Sequence, residues 1–243
     1  MSPYLAEFAG TALLVLLGDG CVANVALNKS KGLGGGWIII TTGWGLAVML
    51  PVYAMGIISG AHFNPALTIG LATIGKFAWA KVPGYIIAQI AGGFVGAFLV
   101  WLTYLPHWKA TPPTDPNPKL TIFCTAPAIR SPWANFLCET IGTAVLLFGV
   151  LSIPSASNLN APGWATGFGP LLVGLLIFAI GLSLGGPTGY AINPARDLGP
   201  RLAHALLPIA GKGGSDWGYA WVPIVGPILG GIIGSVTYVL IYT

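Results

Sequence analysis

Asn64-Pro65-Ala66 and Asn193-Pro194-Ala195 are one tripeptide used twice, 129 residues apart. Small residues lead into each: Ser59-Gly60-Ala61-His62-Phe63 before the first, Thr188-Gly189-Tyr190-Ala191-Ile192 before the second. Asn is a strong helix N-cap, and Pro suits the first helical position, where its missing N–H would have no partner anyway. Each tripeptide therefore reads as the start of a helix. The apolar stretches that follow, about 64–74 and 193–207, are too short to cross a bilayer, so both read as half-helices that dip in from a surface. Irregular backbone at membrane depth is tolerated only where protein buries it or where it lines a water-filled cavity. Two such starts in one chain point to a pore.

The remaining sequence supplies the membrane setting. Of 243 residues, 55% are hydrophobic and only 7% charged, with a mean hydropathy of +0.81, whereas soluble domains carry about 25% charged residues. Six runs are long and apolar enough to span: about 3–26, 37–58, 83–105, 133–153, 168–186 and 218–242. Glycine numbers 36, and Gly92, Gly93 and Gly96 in the third run and Gly226, Gly230, Gly231 and Gly234 in the sixth suit close helix approach. Glu7 inside the first run and the lack of a basic leader argue against a cleaved signal peptide. Cys21, Cys124 and Cys138 form no spacing motif, which leaves no disulfide framework or metal site to infer. A net charge of +4, thinly spread, gives no sign of nucleic-acid binding.

The two halves repeat. Ala6-Glu7-Phe8-Ala9-Gly10-Thr11-Ala12 matches Cys138-Glu139-Thr140-Ile141-Gly142-Thr143-Ala144, and Gly92 and Gly96 match Gly226 and Gly230. The order in each half is a span with Glu, a span, a half-helix and a span. Three crossings per half is an odd number, so the second half enters from the opposite side and the repeat is inverted. The half-helices then descend from opposite faces and aim their N-termini at each other near the midplane. The expected fold is all-α: six transmembrane helices and two re-entrant half-helices in one channel domain, 1–243, with repeats at about 1–105 and 133–243. The connector 106–132 carries seven prolines, from Pro106 to Pro132, and reads as an ordered surface loop without helix. Connectors 76–82 and 154–166 share one side. Lysines and arginines concentrate on the other, which leans against cytoplasmic termini.

Taken together, the paired Asn-Pro-Ala sites, Glu7, Glu139 and Arg196 resemble the major intrinsic proteins over essentially the whole chain. Within that family the chain is most similar to the aquaglyceroporins, the bacterial glycerol facilitators. The run Gly189-Tyr190-Ala191-Ile192-Asn193-Pro194-Ala195-Arg196-Asp197-Leu198-Gly199-Pro200-Arg201, with Asp197 directly after the Arg, and Pro223-Ile224 in the sixth span carry that similarity. The resemblance implies an aquaporin-like fold and passive conduction of glycerol, other small uncharged solutes and water, with ions and protons excluded. It further implies a homotetramer with one pore per subunit in the plasma-membrane bilayer, both termini cytoplasmic, and no cofactor.

Asn64 and Asn193 would cap their half-helices through the side-chain oxygen and leave their NH₂ groups as donors into the pore. A cation there meets two helix N-termini of roughly +0.5 charge each. At about 5 Å and an effective dielectric near 20, the repulsion is on the order of 3 kcal/mol. An ionisable Arg in the apolar region costs roughly 2.5–3.5 kcal/mol on insertion scales, and such residues usually mark pathways. The resemblance places Arg196 in a selectivity constriction with Trp44, Gly181 and Tyr190. Two aromatics would form an apolar corner for a polyol's carbons, and Gly181 would leave room where water-selective relatives carry His. Tyr190 departs from the Phe typical of bacterial glycerol facilitators. Glu7 and Glu139 read as acceptors for backbone N–H groups of the re-entrant loops, while His62 and Asp197 line or support the path.

Three other classes compete with a glycerol channel. A mainly water-conducting channel shares the fold, but Gly181 argues against it. A secondary transporter with alternating access also fits an inverted repeat, and would couple through Glu7 or Glu139. An enzyme would need a nucleophile–base pair, a metal cluster or a phosphate cradle, none of which the sequence offers. Glycerol, dihydroxyacetone, urea, peroxide and undissociated small acids all remain open as physiological solutes.

Overall fold

The computed structural model describes residues 1–114, 116–155 and 164–242, the side chains of 164–166 excepted. Six helices have spanning length: α1 (Pro3–Ala26), α2 (Trp37–Ser59), α4 (Val82–Thr103), α7 (Pro132–Ser155), α8 (Trp164–Leu184) and α10 (Trp221–Tyr242). The half-helices are α3 (Pro65–Thr73) and α9 (Pro194–Leu206), each opening on the proline of its tripeptide. Among the described residues there is no strand. Of the connector read at 154–166, residues 156–163 lie outside the described residues.

The connector 106–132 differs from its sequence reading. It contains two short helices, α5 (Leu105–Ala110) and α6 (Pro118–Phe123). Proline breaks a helix interior but not a first turn, where no intrahelical N–H bond is lost. Pro106 and Pro118 both stand in first turns, and Asn117 caps α6 by accepting from the Lys119 N–H at 3.0 Å. The connector is pinned to the chain beyond α9. The Lys119 ammonium donates to the Ala210 carbonyl, Asn117 Nδ2 to Gly211 O at 2.9 Å, and Arg130 forms a bidentate pair with Asp216 at 2.7 and 2.9 Å.

Glycines set how closely the helices pack. A Cβ at Gly92 would lie 2.2 Å from the Phe8 carbonyl oxygen and one at Gly96 2.4 Å from that of Ala12, so α4 rests directly on α1 backbone. The second half repeats this, Gly230 meeting Thr140 O at 2.2 Å and Gly234 meeting Ala144 O at 2.3 Å. Such contact gains dispersion energy only where no side chain intervenes. The neighbouring glycines cross between halves. Gly93 of α4 backs onto Ala195 O of the second half-helix at 2.6 Å, and Gly231 of α10 backs onto Ala66 O of the first at 2.6 Å. Each half-helix therefore sits against the last span of the other half.

Candidate functional site

Two peptide loops and two caps build the centre of the molecule. Asn64 and Asn193 have extended backbone, φ −153° and −156°, which turns each side chain back over its own helix start. Asn64 Oδ1 accepts from Ala66 N at 2.9 Å; Asn193 Oδ1 accepts from Ala195 N at 3.0 Å and from Arg196 N at 3.3 Å. The amides also reach across the repeat. Asn64 Nδ2 donates to Ile192 O and Asn193 Nδ2 to Phe63 O, both at 2.8 Å. An amide NH₂ has two hydrogens, so one on each Asn is committed to the opposite loop and one remains for the cavity. Sequence reasoning assigned both to the pore. It could not see that the half-helix starts lie close enough to bond.

The loops before the caps hold matched left-handed residues: Gly60, Ala61 and Phe63 at φ 85°, 51° and 49°, and Gly189, Tyr190 and Ile192 at 80°, 39° and 44°. For non-glycine residues this conformation costs about 1–3 kcal/mol each and persists only when the surroundings enforce it. Buried carboxylates provide the enforcement. Glu7 Oε1 accepts from His62 N at 3.0 Å and Ser59 Oγ at 2.6 Å, while Oε2 accepts from Phe63 N and Gln89 Nε2, both at 2.7 Å. Glu139 accepts from Ala191 N at 2.9 Å and Ile192 N at 2.8 Å. In a trans peptide the C=O points opposite to the N–H. Carbonyls of Ala61, His62, Tyr190 and Ala191 therefore point away from the glutamates.

The two loops border a cavity of about 200 Å³, far above the roughly 10–15 Å³ one water needs. Gly60 to Asn64 and Tyr190 to Asn193 line it together with the aliphatic Val48, Val52, Leu67, Leu146, Val150 and Ile177. Trp44 and Arg196 also line it, with the guanidinium carbon 4.2 Å from the Trp44 ring centroid. A cavity with this mixed lining offers both hydrogen-bonding groups and hydrocarbon.

Gly181, read as leaving room for solute, packs closely against Tyr190 and Thr41. It is not among the cavity-lining residues. A Cβ there would lie 2.7 Å from Tyr190 Cζ, 2.9 Å from Tyr190 Oη and 2.8 Å from Thr41 Cγ2. The space freed by this glycine is filled by the Tyr190 ring. Trp37 completes that seat: its Nε1 donates to Gly181 O at 2.9 Å, and its ring meets Tyr190 edge-on, 5.8 Å between centroids at 73°.

His62 lines the cavity, with Nδ1 3.1 Å from Thr68 Oγ1 and its ring against Phe77 and Tyr85. Asp197 is fully buried. It accepts from Arg201 Nε at 2.7 Å and Nη2 at 2.9 Å, and from Thr125 N at 2.8 Å and Oγ1 at 2.5 Å, clamping the connector to α9. Outside the spans, the bidentate bond to Asp216 pushes the Arg130 guanidinium further toward its protonated form.

Several contributors escaped the sequence reading. Arg201 stands four residues after Asp197, the spacing of a helical ion pair, and Gln89 and Asp19 are polar residues inside apolar spans. Those signals were legible. Trp37 gave none, because a Trp at a span end is an ordinary interfacial residue.

The geometry agrees with what comparison finds. The major intrinsic protein family model matches residues 1–238. The chain is 67% identical over 238 residues to the probable glycerol uptake facilitator protein of Thermotoga maritima, covering 98% of each. It is 56% identical to the glycerol uptake facilitator protein of Bacillus subtilis, covering 98% of this chain and 84% of that one. Among solved structures it resembles the aquaglyceroporin from Plasmodium falciparum, with a TM-score of 0.81 and 33% identity, covering 97% of this chain and 93% of that one.

Proposed function

The chain belongs to the major intrinsic protein family, and from that premise we propose that it is a passive channel carrying glycerol and other small uncharged solutes, and water, across a membrane. It is a multi-pass membrane protein and a facilitator, not an enzyme. The observation that carries the glycerol reading is a single cavity whose lining combines aliphatic side chains with the two re-entrant loops, the Trp44–Arg196 stack and the paired Asn caps. A polyol can slide along it, exchanging one hydrogen bond for the next. The narrow point would be formed by Trp44, Tyr190 and Arg196, with Gly181 seating Tyr190 from behind.

Ion exclusion would fall to Asn64-Pro65-Ala66 and Asn193-Pro194-Ala195, whose helix N-termini repel cations, together with the dehydration an ion suffers beside aliphatic walls. Glu7 and Glu139 would hold the carbonyl file in register rather than couple transport to protons. Their oxygens are engaged by backbone N–H groups, which supports a structural role over alternating access. The same reading places the protein in the plasma membrane as one domain, as a homotetramer with one pore per subunit and both termini cytoplasmic.

Stopped-flow light scattering on proteoliposomes, with glycerol, dihydroxyacetone, urea and an impermeant sugar, tests the proposal. Rapid, non-saturating glycerol entry with weak temperature dependence is the expected result. Water flow without glycerol entry would replace it with a water channel, and saturable, strongly temperature-dependent flux with a transporter.

A further inference from the structure

The tyrosine of the constriction is held without an anchor for its hydroxyl. Tyr190 is buried and lines the cavity, yet its Oη has no hydrogen-bond partner among the described residues. A buried phenol usually finds a partner that fixes its ring. Here the walls must do so. The backbone is already committed: Tyr190 sits at φ 39°, in the left-handed region, and the two amides that follow donate to Glu139.

Two of the walls are glycines. A Cβ at Gly181 would lie 2.7 Å from Tyr190 Cζ, and one at Gly185 would lie 2.6 Å from Tyr190 Cδ1. The bulky side chain of the seat is Trp37. Its ring meets that of Tyr190 edge-on, 5.8 Å between centroids at 73°. A Cβ at Gly185 would also stand 2.9 Å from Trp37 Cζ2, so the two rings share one glycine floor. The indole is itself clamped. Gly181 lies in the last turn of α8, where helix carbonyls lack intrahelical partners, and Trp37 Nε1 donates to Gly181 O at 2.9 Å. Trp37 is the first residue of α2, so this bond ties the start of one span to the end of another. Trp37, Gly181 and Gly185 are not among the cavity-lining residues. They back the ring from outside the cavity.

We propose that Trp37 is a specificity-determining residue of the channel: clamped to the Gly181 carbonyl, its indole is the backstop that keeps the Tyr190 ring forward in the cavity and so limits the bulk of the polyol that passes. Trp37 touches no solute and acts through Tyr190. The inference rests on reading Tyr190 as part of the narrow point.

The test is the permeability of a four-carbon polyol relative to glycerol, by stopped-flow light scattering on the full chain in proteoliposomes. Trp37 is 38% exposed, as an interfacial tryptophan is. Loss of a mere membrane anchor would lower both fluxes and leave their ratio alone. Trp37→Ala removes backstop and clamp together, letting the ring retreat, and the ratio should rise roughly two- to tenfold, the worth of one edge-on aromatic pair. Trp37→Phe keeps an aromatic wall without the clamp and should rise less. An unchanged ratio in Trp37→Ala overturns the inference. In a Tyr190→Ala background Trp37→Ala should add nothing; a further rise there also overturns it, since Trp37 would then act by another route. Should Trp37→Ala fail to insert, Trp37→Phe carries the test, a flat ratio again overturning the inference. Tyr190→Ala separates the two levels. If it leaves the ratio unaltered, the reading of the constriction fails; if it raises the ratio while Trp37→Ala is flat, only the role of Trp37 fails.

Discussion

Adding a single methyl group at Gly181 should restrict glycerol passage by displacing Tyr190, a residue of the cavity lining. The new Cβ would stand 2.7 Å from Tyr190 Cζ and 2.8 Å from Thr41 Cγ2, where carbon atoms settle at about 3.5–4.0 Å. Thr41 is fixed in α2, its hydroxyl donating to Trp37 O at 3.0 Å, so the tyrosine ring must yield, and it yields into the cavity that it lines. A retreat of roughly 0.8 Å restores ordinary contact. Overpacking of this kind costs about 1–3 kcal/mol. If a solute that fills the constriction bears that cost, glycerol flux falls roughly 5- to 150-fold, while water, being narrower, loses far less. Stopped-flow light scattering measures both on the same vesicles. The decisive experiment is the double variant. In a Tyr190→Ala background the ring is gone and the methyl can shift off Thr41 into the vacated space, so Gly181→Ala should then have much less effect on glycerol. Undiminished glycerol flux in Gly181→Ala, or an equal loss in both backgrounds, would refute the account of Tyr190 as a ring seated on a glycine.

Glu139→Gln replaces an acceptor pair with one acceptor and one donor, leaving either Ala191 N–H or Ile192 N–H unpaired; it should cost about 1–3 kcal/mol, seen as a lower melting temperature in detergent together with slower glycerol entry. Asn193→Asp removes the donor to Phe63 O and places a negative charge at the half-helix junction, so cation leak across proteoliposomes should rise while thermal stability falls. An unaltered leak would place Asn193 away from the narrow path. Arg130→Ala should shift the melting temperature very little, since Arg130 is 55% exposed in its pair with Asp216 and such surface pairs contribute about 0–1 kcal/mol.

The spans and half-helices were legible because their signals are local and redundant. Run length alone finds α1, α2, α4, α7, α8 and α10, and an Asn-Pro start finds α3 and α9 to within a residue or two. The inverted order followed from parity, and the partners of Glu7 and Glu139 from the need to satisfy buried backbone. The constriction was less legible. Gly181 was read as empty space because the sequence does not say which neighbour leans into a glycine, and here Tyr190 does. The connector was read as loop because proline counts ignore position, while Pro106 and Pro118 stand in first turns.

The crossing of Gly93 and Gly231 between halves has a consequence for biogenesis. A ribosome delivers α3 long before α10, so the first re-entrant segment waits for its seat on Gly231 until the last helix is threaded. The notch at Gly93 waits in turn for α9. Nascent chains stalled before residue 221 would therefore leave α3 without its seat at Gly231, and the conduit is completed only once α10 is in place.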